Sequence, residues 1–84
     1  MNPKKLLEKA VSSGGNLRFG DMQTLVKAFG FTLIRVRGSH HIYARPDIPE
    51  QVNIQNRKGK AKPYQVRQFL ELVEQHNLIL GESA

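Results

Sequence analysis

The sequence contains no cysteine. That excludes a disulfide framework, a thiolate metal site and a cysteine nucleophile, and it leaves burial to hold the fold together. No apolar run approaches the roughly 20 residues needed to span a bilayer. The first residues, Met-Asn-Pro-Lys-Lys-Leu-Leu-Glu-Lys, lack the apolar stretch of a signal peptide. Neither secretion nor membrane insertion is expected, and a cytoplasmic protein is the simplest reading. No Gly-rich phosphate loop occurs, and no Ser, His and acid arrangement can be assigned. Carboxylates are also scarce, at seven Asp and Glu, and show no metal-ligand spacing, so a metal-dependent nuclease would lack its ligands.

What is there is positive charge. Thirteen Lys and Arg give a net charge of +6 on 84 residues and 9.5 kDa, with a pI of about 10.1. That length makes one small two-layer domain, too small for a large buried active site. The charge favours a polyanionic partner, and it is unevenly placed. Between Phe31 and Arg67 lie eight cations and two anions, Asp47 and Glu50, whereas five cations and five anions balance over the remainder.

Asn2-Pro3 can cap and start a helix, and Leu6, Leu7, Ala10 and Val11 follow at helical spacing. Ser12 to Asn16 reads as a polar connector. A second helical pattern runs from Gly20 to Phe29, with Met22, Leu25, Val26 and Phe29 on one face and Gly30 placed as a left-handed cap. From Phe31 the period becomes two. Phe31 to Arg37 and His40 to Arg45 predict strands joined by the two-residue turn Gly38-Ser39. Asp47 to Glu50 reads as a turn, Val52 and Ile54 mark a third strand, and Asn56 to Lys62 reads as a basic loop around Gly59. Pro63 starts a last helix with Val66, Phe69, Leu70 and Val73 inward, lasting to about Asn77. The order α-α-β-β-β-α predicts an α+β domain, with helices on one face of a three-stranded antiparallel sheet.

A two-residue turn at Gly38-Ser39 sets Arg37 opposite His40 on one face, and Arg35 shares that face. An imidazole among guanidinium groups suits RNA cleavage. The 2′-hydroxyl loses a proton, the leaving 5′-oxygen gains one, and Arg stabilises the charge that builds between them. The competing reading is a structural strand histidine. His41 points to the opposite face, so the pair cannot chelate one ion. His76 lies where it meets the negative end of a helix dipole, and no zinc or other metal site is expected. The loop cations Arg57, Lys58, Lys60 and Lys62 abut the helix start at Pro63, which favours phosphate. With Arg45 and Arg67 they suggest a surface that tracks a nucleic-acid backbone, against the simpler reading of a solvated charge run. Tyr43 and Tyr64 are candidates for base stacking or for core and rim packing.

Gly30-Phe31, Arg37-Gly38-Ser39-His40-His41-Ile42-Tyr43, Gly59-Lys60-Ala61-Lys62-Pro63 and Val66-Arg67-Gln68-Phe69-Leu70 together resemble the HicA family, toxins of HicAB toxin–antitoxin systems. The resemblance spans about residues 20 to 78. It implies a fold like a double-stranded-RNA-binding domain and a metal-independent mRNA interferase whose catalytic His follows the Gly-Ser turn, here His40. His41, Arg37, Arg35 and Ser39 are supporting or second candidates. It also implies inhibition by a HicB antitoxin that covers the site; the toxin alone is expected to be a monomer with no cofactor. Residues 1–19 fall outside the family pattern, so the chain is read as an N-terminal helical extension and linker (1–19) before the toxin-like domain (20–84). Two other functions fit the same residues: a non-catalytic RNA-binding module, and an interaction protein docking an acidic partner.

Overall fold

A computed structural model describes residues 2–81. Its elements are α1 (Pro3–Ser12), α2 (Phe19–Ala28), β1 (Thr32–Arg37), β2 (His40–Arg45), β3 (Ile48–Arg57), β4 (Lys60–Ala61) and α3 (Pro63–Gln75). The helix boundaries follow local chemistry. The Asn2 side chain accepts from the Lys5 N–H at 2.9 Å, and Pro3 opens α1. Gly30 takes the left-handed position after α2, with φ at 89°. There its N–H donates to the Lys27 carbonyl at 2.9 Å, and the Phe31 N–H reaches back to Val26. Asn77 ends α3 the same way, with φ at 53° and the Leu78 N–H donating to Val73. Among the described residues no helix is long and apolar enough to cross a membrane.

The antiparallel sheet has four strands in the order β1-β2-β3-β4. Register places His41 opposite Ile54 and Tyr43 opposite Val52, so these residues share the face that the helices cover. His40, Ile42, Asn53 and Gln55 occupy the other, open face. The fold is the expected α+β arrangement with two corrections. The turn between β2 and β3 is Pro46-Asp47, because Arg45 pairs with Ile48 and the Ile48 side chain is buried. Pro49 then lies in β3 beside an irregularity of the β2–β3 ladder, where a missing N–H is tolerated. The segment Asn56 to Lys62 is no open loop. Lys58 and Gly59 both have positive φ, 52° and 84°, as a type I′ hairpin turn requires. They fold β4 back so that Arg57 pairs with Lys60 and Asn56 with Ala61. A two-residue strand carries no periodicity, which is why composition alone reads as loop.

The short β4 leaves the Gln55 N–H beyond its reach, and a side chain from α3 completes the ladder. Gln65, buried at 4% exposure, accepts that N–H through Oε1 at 2.7 Å. Gln65→Leu keeps most of the volume and strands the donor. Its expected cost is about 1–3 kcal/mol, read as a lower urea midpoint at unchanged slope. An unchanged midpoint would mean that water satisfies Gln55 as well as Gln65 does.

One core joins all three helices to the sheet. Phe69 of α3 meets Phe29 and Phe31 edge-on, with ring centroids 5.6 and 5.7 Å apart. From α1, Leu6 and Ala10 enter the same core at 0% and 1% exposure.

Candidate functional site

Gly38 adopts φ of 56° while Ser39 stays out of the left-handed region, the pattern of a type II′ turn with glycine first. This turn pairs Arg37 with His40, and Arg35 pairs with Ile42. Directly opposed residues have Cβ atoms about 5 Å apart. Arg35, Arg37 and His40 therefore stand together on the open face. His40 is partly exposed, and its Nδ1 lies 3.1 Å from Oδ1 of Asn53 on β3. A carbonyl oxygen can only accept, so the proton of the neutral imidazole sits on Nδ1. The lone pair is left on Nε2, which has no hydrogen-bond partner among the described residues.

His41 has a different environment. It faces the helical layer, its ring 4.7 Å from that of Phe19 at a steep angle, with Nδ1 3.3 Å from the Ser39 carbonyl. The two members of the doublet are thus divided by the sheet between an open face and a packed one.

Hydrogen bonds gather the cations at the same end. The Asn56 N–H donates to the Ser39 carbonyl at 3.0 Å, holding the Gly38-Ser39 turn beside the last residues of β3. The Lys58-Gly59 turn follows directly. There the Phe19 N–H donates to the Gly59 carbonyl at 2.9 Å, and Arg18 bridges to Lys60. Arg57 and Lys60 share the face of His40, by alternation from Gln55 and by their own pairing. Asn16, Arg57, Lys58, Lys60, Lys62 and Pro63 border a depression of about 360 Å³ at the start of α3. The two anions of the central stretch lie elsewhere. Asp47 is held 2.8 Å from Arg45, and Glu50 3.0 Å from His76 at the end of α3. Separated charge of this kind can draw a polyanion across the open face, beside an imidazole able to take a proton.

Arg45 does not join that surface. It is buried at 6% exposure, its Nη1 donating to the Phe29 carbonyl at 2.7 Å and its Nε to Asp47. It ties β2 to the end of α2. Arg67 is exposed but donates to the Gly14 carbonyl at 3.0 Å, bracing the α1–α2 connection. Tyr43 is fully buried, its hydroxyl accepting from Gln23, whereas Tyr64 is exposed, with Lys62 Nζ 6.0 Å from its ring centroid. Among the described residues no group of three His, Asp or Glu side chains converges as metal ligands would. Two site residues escape sequence reasoning. Asn53 meets His40 only through the β2–β3 register, and Arg18 lies outside the basic stretch until its bridge to Lys60 forms.

A family model described as the HicA toxin of bacterial toxin-antitoxin systems matches residues 20–75. No curated protein and no solved structure matches the chain.

Proposed function

Because the chain belongs to the HicA toxin family, the toxin side of a toxin–antitoxin pair, we propose that it is an endoribonuclease that cleaves messenger RNA at His40. The observation that carries this reading is the placement of His40. It stands on the open face opposite Arg37, with Nδ1 occupied by Asn53 and Nε2 free. Nε2 takes the proton from a ribose 2′-hydroxyl as its oxygen attacks the adjacent phosphorus. The phosphorus–5′-oxygen bond breaks, and the imidazolium returns the proton to the departing oxygen. The products are a 2′,3′-cyclic phosphate and a 5′-hydroxyl. Arg35 and Arg37 stabilise the charge on the phosphorus oxygens, and Asn53 is a positioning residue that fixes the tautomer. Ser39 sets the turn. No step uses a metal ion.

Arg57, Lys58, Lys60 and Lys62, with Arg18 beside them, hold the RNA backbone. The order of α2, three long antiparallel strands and α3 on one face supports a likeness to a double-stranded-RNA-binding domain.

Purified protein incubated with total RNA in EDTA is expected to yield fragments ending in cyclic phosphates. RNA that is bound but intact would overturn the nuclease reading and leave an RNA-binding module. For binding to a 2′-O-methylated RNA, which cannot be cleaved, affinity should fall with salt at a log–log slope of about −0.7 per phosphate neutralised. Four loop cations give about −3. An affinity indifferent to salt would remove these residues from the interface.

A further inference from the structure

Among the described residues six large apolar side chains are exposed, and three of them, Leu33, Ile34 and Val36, fall within four residues of β1. Every residue of this strand is exposed, and β1 is the edge of the sheet. Leu33 and Val36 oppose Tyr43 and His41, so they point to the helical side. No helix reaches over them, and they stay 38% and 52% exposed. Arg35 and Arg37 occupy the other side. The strand therefore offers an unpaired backbone, an apolar face and a cationic face together.

We propose that β1 is the docking site of the antitoxin, which adds a strand to this edge with acidic residues opposite Arg35 and Arg37 and apolar residues opposite Leu33 and Val36. The proposal rests on the toxin assignment of the family but not on RNA cleavage. Main-chain hydrogen bonds to the edge would supply affinity, and the alternating side chains would supply the register. Charge selects this occupant over a second copy. Two β1 strands paired antiparallel would bring the arginines of both chains onto one face, where like charges on adjacent strands are destabilising. The irregularity between Leu33 and Arg35 further discourages self-pairing. RNA has no use for the apolar face. An acidic strand satisfies both faces, and by engaging the two guanidinium groups beside His40 it would deny them to phosphate.

The test is amide hydrogen exchange of the toxin, free and saturated with its purified antitoxin. The amides of residues 33–36 should slow by at least tenfold in the complex. Val36→Lys should weaken antitoxin binding at least a hundredfold, whereas Val11→Lys, on the exposed side of α1, should leave it unchanged. Circular dichroism checks that both variants are folded. Equal exchange at β1 in free and bound toxin, or wild-type affinity for Val36→Lys, overturns the proposal. So does protection that appears on raising the toxin concentration or adding RNA but not on adding antitoxin. Exchange reads β1 directly, so a toxin that cuts no RNA yet protects β1 in the complex would refute the nuclease reading and uphold the docking site.

Discussion

Replacing His40 by alanine is expected to lower the rate of RNA cleavage by about a hundred- to ten-thousand-fold and to leave the fold intact. Both halves follow from where the side chain stands. Its imidazole is partly exposed on the face that no helix covers, and its one side-chain hydrogen-bond partner among the described residues is Asn53, so truncation opens no core cavity and strands no buried donor. The proposed proton acceptor disappears while Arg35, Arg37 and the hairpin cations remain. RNA affinity should therefore hold while turnover falls. That split separates chemistry from binding. Asn53→Ala should give a smaller loss, about tenfold in turnover with little change in KM, because the imidazole survives but no longer has its tautomer fixed. The nitrogen chemical shifts of the His40 ring should report the change independently of activity. His41→Ala is the informative contrast. It removes a ring packed against Phe19, so its expected effect is on thermal stability and not on the chemical step. A folded His40→Ala protein that cleaves RNA at the wild-type rate would move catalysis elsewhere.

The parts of this site that can be read from sequence are those set by contiguous residues. Alternation on either side of Gly38-Ser39 fixes the hairpin, and the hairpin alone fixes which of His40 and His41 shares a face with Arg35 and Arg37. What depends on pairing between distant segments is not legible. Asn53 reaches His40 because β3 aligns with β2 in one register, and with a proline at both 46 and 49 the residues alone do not say where the turn that sets it falls. Arg45 shows the same limit from the other side. As a letter it is one more cation in a basic stretch, and only its place on the covered face, against the Phe29 carbonyl, makes it a brace. The basic run 57–62 reads as loop because its strand is two residues long, although the left-handed backbone at Lys58-Gly59 is what sets Lys60 beside Arg57 on the face of His40.

Deleting residues 1–12 is expected to abolish cooperative folding, even though the family match begins at residue 20. The reason is the ledge that α1 fills. Leu6 and Ala10 are at 0% and 1% exposure within the same core as Met22, Val26 and Val66. Removing a fully buried leucine side chain alone costs about 2–5 kcal/mol, and Leu6→Ala should show this as a reduced urea midpoint. Deletion also uncovers the partners of Ala10 and Leu7. A domain of this size has only about 4–12 kcal/mol of stability to lose. The connector after α1 is fitted as closely as the helix. Gly15 has φ of 94°, and a Cβ built on it would lie 2.7 Å from the Pro63 carbonyl oxygen, so the backbone passes against the start of α3 where no side chain fits. Losing α1 therefore loosens the end of α3 that borders Lys60 and Lys62. A truncated protein that unfolds at the wild-type urea midpoint would make α1 an appendage. A truncated protein without a cooperative transition would make it part of the scaffold that holds the basic hairpin beside His40.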